Sequence, residues 1–186
     1  MTMMLAVHDA LRREAAQVAR QAARGGIAAA VGWEMFAAYL RVHHTTEDDV
    51  LWPALSAAAG PAETALLDAM EAEHAMLDPL IAAIDADVSG DQADALVTAL
   101  ELHLRHEETE VLPLIDAVLP AEDWQRFGQE HGVRIGADAV RYLPWVLEGL
   151  SADRAGAVLD RMPARILESY RDSWRAAYAS LVRWPA

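Results

Sequence analysis

HHTTEDDVLWP occupies residues 43–53 and HLRHEETEVLP occupies residues 103–113. Each begins His-x-x-x-Glu, and each sets a proline six residues after that glutamate. On a helix, residues i and i+4 lie about 40° apart, so His43 and Glu47 point the same way, as do His103 and Glu107. The two stretches are either solvated helix faces or one piece of chemistry built twice. The flanking apolar residues decide between these.

Outward from the two stretches, no strand-like alternation is found. Turn punctuation falls at Gly25-Gly26, Gly60-Pro61, Ser89-Gly90-Asp91 and Pro120. The segments between predict helices over about 3–24, 27–58, 61–88 and 91–118. Short loops between long helices make antiparallel neighbours. The expected fold is therefore all-α, an up-down-up-down four-helix bundle over residues 1–119, followed by a helical annex over 120–186. An Ala- and Leu-rich composition, 54% hydrophobic, agrees.

The inward stripe of each helix carries the next signal. Helix one gives Met4, His8, Leu11, Ala15, Val18 and Ala22. Helix two gives Trp33, Phe36, Leu40, His43, Glu47, Val50 and Ala54. Helix three gives Leu67, Met70, His74, Leu77, Ile81 and Ile84. Helix four gives Leu96, Leu100, His103, Glu107, Leu114 and Val118, with position 110 or 111 between. Each series steps by three or four, as a buried stripe does. A histidine interrupts each one, and in helices two and four a glutamate follows one turn later.

These interruptions lie at matched heights. His8 is 17 residues before Gly25 and His43 is 18 after it; His43 is 17 before Gly60 and His74 is 14 after it; His74 is 16 before Gly90 and His103 is 13 after it. At ~1.5 Å per residue, all four histidines fall within about two turns of one level. The two hairpins also repeat, with His74 following His8 by 66 residues and His103 following His43 by 60, which implies a pseudo-two-fold axis.

A buried ionised carboxylate is costly unless it is paired or coordinates a metal. No Lys or Arg lies on the stripes at this level, and two facing carboxylates repel. A pair of divalent metals removes both penalties. Four imidazoles and two carboxylates without thiolate suit iron, manganese or zinc, and two bridging carboxylates fit a redox-active di-iron site best.

The set H…HxxxE…H…HxxxE, with Pro after each HxxxE, resembles the hemerythrin-like (HHE cation-binding) family over about residues 3–118. The resemblance implies His8, His43, His74 and His103 as terminal ligands and Glu47 and Glu107 as bridges. It further implies two non-haem iron ions, an oxo or hydroxo bridge, and an open position for O2, peroxide or NO. The oxygen-carrying members have a second histidine four residues after the third-helix one; here that residue is Asp78. His44 or Tyr39 is the candidate to make up the missing ligand. This departure favours turnover chemistry with peroxide, catalase-like decomposition first, or sensing, over reversible carriage. An oxygen or iron sensor or carrier is the alternative, and a metal-free helical interaction module is disfavoured by the buried carboxylates. Iron–sulfur repair, known among relatives, lacks its cysteine-bearing N-terminal module here.

Other residues read more plainly. His106 and His131 are expected at the surface or just outside the ligand set, and Asp48, Asp49, Glu108 and Glu110 in solvent. Pro53 and Pro113 are expected to kink or end their helices. The annex predicts helices near 121–142, 151–161 and 164–183, an N-cap at Ser151, and breaks at Pro144, Gly149 and Pro163. It reads as a cap on the bundle, with a homodimer interface or a lid as alternatives. The net charge of −14 disfavours nucleic acid and anionic membranes as partners. The absence of cysteine excludes disulfides, thiolate metal sites and iron–sulfur clusters. No apolar run spans a membrane, and MTMMLAVHDALRRE lacks signal-peptide character, so a cytoplasmic location is expected.

Overall fold

The computed structural model describes residues 1–22, 27, 30–86 and 90–185; the expected turn at Gly25-Gly26, and Ser89 of the third turn, lie outside them. Every regular element among the described residues is helical: α1 (Thr2–Ala22), α2 (Val31–Thr46), α3 (Trp52–Ala59), α4 (Thr64–Ala86), α5 (Gly90–His106), α6 (Leu112–Val118), α7 (Ala121–Ile135), α8 (Ala139–Leu147), α9 (Ala152–Leu159), α10 (Ala164–Ser169) and α11 (Arg175–Ala179). None of the described helices is long and apolar enough to cross a membrane. Helix α2 starts at Val31, later than expected. Ala30 is extended (φ −82°, ψ 133°), and its N–H donates to Ile27 O at 2.7 Å. Ile27 is fully buried in the core; Ala28 and Ala29, expected in the helix, lie outside the described residues.

The stripes of α1 and α4 are buried throughout, as expected. Those of α2 and α5 hold as far as Glu47 and Glu107, then slip by one residue. Leu51 and Leu55 are buried in place of Val50 and Ala54; Val111, of the two positions offered, is buried, Ile115 is buried in place of Leu114, and Val118 is exposed. The cause is a π turn after each glutamate, Glu47–Leu51 and Glu107–Val111. In each, an N–H five residues on, Trp52 or Leu112, bonds the glutamate carbonyl. One extra residue fits into the turn, so the inward phase advances by one. Pro53 and Pro113 enter just past these turns, in the first turn of α3 and α6. A missing N–H matters little at such a position, so helix continues on both sides of each proline instead of ending there.

Two apolar clusters result, with a polar layer between them. One holds Leu11, Leu40, Leu77 and Leu100; the other holds Met4, Leu51, Met70 and Val111. Along each of the four helical arms, the histidine or His-x-x-x-Glu pair sits between a member of one cluster and a member of the other.

The segment after Pro120 packs beside both clusters. Helix α7 lies against α2 and its π turn, and α8 and α9 lie against α1. Trp145 is fully buried. Pro144 sits inside α8 instead of breaking it; burial of Tyr142, Leu143 and Trp145 outweighs the one hydrogen bond lost. Gly149 (φ 79°) makes the turn that follows, and Ser151 caps α9, its Oγ accepting from Arg154 N–H at 3.3 Å. The C-terminal residues strap onto the core. Gly32 N–H donates to Arg183 O at 2.7 Å, and any Cβ at Gly32 would run into the Trp184 ring. Arg183 bridges Glu14 at 2.9 Å and Glu148 at 2.7 Å, and Trp184 Nε1–H donates to the buried Glu14 at 3.1 Å.

Candidate metal centre

Helices α1 and α4 each bring one histidine to the polar layer, and α2 and α5 each bring a His-x-x-x-Glu pair. His8, His43, Glu47, His74, His103 and Glu107 are all buried, and so is His44. Their donor atoms form two groups, each lying within 4.8 Å: His8, His43, Glu47 and Glu107 in one, His44, Glu47, His74 and His103 in the other. Glu47 belongs to both, whereas Glu107 belongs to one. His44 stacks on His74 with ring centroids 4.0 Å apart and so joins the second group. Tyr39 is engaged elsewhere. Its hydroxyl donates to Asp138 Oδ2 at 2.5 Å, its ring packs edge-on against Tyr142 and Trp145, and burial followed by Asp138 pushes its pKa up.

Outer carboxylates set the orientation of three imidazoles. His8 Nδ1–H donates to Glu108 at 2.8 Å, His74 Nδ1–H to Asp48 at 2.7 Å, and His103 Nδ1–H to Glu73 at 3.0 Å. A carboxylate on Nδ1 fixes the tautomer that, in a neutral imidazole, leaves Nε2 bare, the arrangement that recurs around metal-bound histidine. The bare nitrogens then turn inward. His74 Nε2 and His103 Nε2 face each other at 3.2 Å, a lone-pair clash that a proton or a cation between them relieves. His8 Nε2 stands 3.2 Å from Glu107, and His43 Nε2 3.3 Å from Glu47. Neither approach makes a hydrogen bond. The Nε2 atoms of His8, His43 and His44 and all four oxygens of Glu47 and Glu107 have no hydrogen-bond partner among the described residues. Buried polar groups are nearly always hydrogen-bonded. Donors that converge on shared points, and not on each other, fit cations at those points.

The charges of the metal-free protein show the same frustration. Burial, then Glu107 and Asp48, pushes the Glu47 carboxyl well up. Burial pushes Glu107 up too, but His8 outweighs it and holds Glu107 below the usual range. His8 is lowered by burial and raised by Glu107 and Glu108, ending at about 9. Burial and then His8 drive His43 well down, and burial and then His74 do so for His44. His103 falls to about 4 through burial and then His74. One proton by His8 and Glu107 thus supplies positive charge that a bound cation would otherwise bring, while His43, His44 and His103 stay neutral.

Asp48 and Glu108, expected in solvent, instead hold His74 and His8, and Glu108 is further clamped by Arg12 at 2.7 Å. Glu73 was not foreseen at all; it also holds His106 Nδ1 at 2.8 Å. Each of these acids is adjacent in sequence to a donor: Asp48 follows Glu47, Glu108 follows Glu107, and Glu73 precedes His74. The pseudo-two-fold relation reaches this outer layer, since His8 meets Glu107 and Glu108 while His74 meets Glu47 and Asp48. His44 breaks it, because the equivalent residue in the second stretch is Leu104. His131 packs 6.3 Å from the His43 ring, and its Nε2 lies 3.4 Å from the Tyr142 hydroxyl.

The profile of the hemerythrin HHE cation-binding domain matches residues 1–115. No curated protein and no solved structure matches the chain.

Proposed function

Because the chain belongs to the hemerythrin HHE cation-binding family, we propose that its His/Glu layer holds two non-haem irons and that the loaded centre binds O2, peroxide or NO and decomposes hydrogen peroxide. The observation that carries this reading is the pair of four-donor groups sharing Glu47, with imidazole nitrogens left bare toward both. His8, His43, Glu47 and Glu107 hold one iron; His44, His74, His103 and Glu47 hold the other. His44 takes the place of the imidazole absent at Asp78. In this reading α1, α2–α3, α4 and α5–α6 are the arms of an up-down-up-down bundle over residues 1–119, and residues 120–186 form the annex. The irons, when bound, supply the ferrous–ferric couple by which two peroxide molecules become two waters and O2. The chain's own part is to orient imidazoles through Glu108, Asp48 and Glu73 and to exclude bulk water with the two apolar clusters.

The test is metal analysis with oxygen-electrode measurements. About two irons per chain are expected, with O2 evolved from peroxide and that evolution lost in Glu47→Ala. A protein that takes up no metal, or an iron-loaded protein inert to peroxide, refutes the reading. A second reading, oxygen carriage or sensing, is favoured by His44, which restores a fifth imidazole. Its sign is an optical change that reverses on removing O2, without turnover of peroxide.

A further inference from the structure

A cleft of about 620 Å³ runs between α1, α7, α8 and α10, within the size range of small-molecule sites. Met3, Val7, Trp124, Phe127 and Ile166 give it apolar walls. Buried His43 and Tyr142 close its inner side, and exposed Arg161 stands at its outer side.

Two features mark this cleft as kept open. Gly128 and Gly132, one turn apart on α7, both line it. Glycine inside a helix is destabilising relative to alanine. Neither residue has a positive φ, and a Cβ at either would meet nothing within 4 Å. No backbone strain and no neighbouring atom requires glycine at these positions; their effect is to widen the cleft. The second feature is Arg161. In a chain of net charge −14, its guanidinium has no ion pair or hydrogen bond among the described residues. An apolar cleft with Arg161 at its mouth, near enough to the Met1 ammonium for the two cations to repel, complements an apolar chain with one anionic end.

We propose that this cleft binds an amphipathic monocarboxylate, its unbranched hydrocarbon chain lying across Gly128 and Gly132 and its carboxylate pairing with Arg161. The site does not depend on the iron reading, although the far end of the ligand reaches His43. Trp124 and Trp174 line the cleft and report on its occupancy.

The experiment titrates the full chain, metal-free and metal-loaded, with decanoate below its micelle concentration, by calorimetry and tryptophan fluorescence. Saturable binding at one site per chain is expected in both forms. Arg161→Ala weakens decanoate by about tenfold and leaves decanol, the uncharged analogue, unchanged. Gly132→Leu fills the cleft, raises helix propensity so that the fold is kept, and abolishes binding. Absence of saturable binding to the wild type overturns the proposal. Full binding by Gly132→Leu overturns the location, and equal loss of decanoate and decanol in Arg161→Ala overturns the carboxylate contact. Metal content, read separately on the same samples, tells failure of the iron reading from failure of this one.

Discussion

Replacing Glu47 with leucine should make the metal-free protein more stable. Glu47 is fully buried and neither of its oxygens has a hydrogen-bond partner among the described residues. Burial and the neighbouring Glu107 push its carboxyl toward the neutral form, yet even a neutral buried group left unbonded costs about 1–3 kcal/mol. Leucine is close in size, removes the unbonded oxygens, and ends the repulsion with Glu107. A gain of about 2 kcal/mol corresponds to a rise of roughly 4–8 °C in Tm for a chain of this length. Metal reverses the order. At free metal a hundredfold above Kd, the wild type gains about 2.7 kcal/mol, whereas the variant lacks the one donor common to both groups and gains little. Calorimetric melts in chelator, then with ferrous iron under nitrogen or with zinc, measure both effects. If the chelated variant melts at or below the wild type, the carboxylate is not an uncompensated burden. If the variant keeps the full metal-induced rise, Glu47 is not a ligand.

Three further outcomes are expected. His44→Ala lowers metal content from about two to about one per chain, whereas Tyr39→Phe leaves it unchanged and loses about 1 kcal/mol in urea melts, through the broken bond to Asp138. Asp48→Ala frees the His74 ring and weakens metal affinity about 10–100-fold in competition with a chelator. Gly32→Ala drives a methyl group into the Trp184 ring and costs about 1–3 kcal/mol, read as a lower urea midpoint and faster proteolysis of the C-terminal residues.

The helical class, and the burial of His8, His43, Glu47, His74, His103 and Glu107 in one layer, were legible because each depends on local periodicity. A stripe that steps by three or four must face inward, and a histidine on it must be buried. His44 could be named but not placed, since residue i+1 turns about 100° away from its neighbour and only the packing of α4 beside α2 brings it to His74. Asp48 and Glu108 were misread for the same reason: an acid one residue past a buried glutamate looks solvent-facing until a partner helix presents an imidazole to it. The C-terminal strap through Arg183 and Trp184 bonds residues more than a hundred positions away on α1, a distance that periodicity cannot report.

The π turns after Glu47 and Glu107 carry a consequence for comparing chains of this kind. Each of these two arms is two helical rulers laid end to end with one tick of slack, and a single heptad numbering carried through the glutamate misassigns every residue beyond it. Sequences in which this turn is an ordinary α turn will be one residue shorter there, with their donors in place and their distal leucines out of step. Aligning them correctly requires a one-residue gap placed between the glutamate and the proline, inside what looks like an unbroken helix.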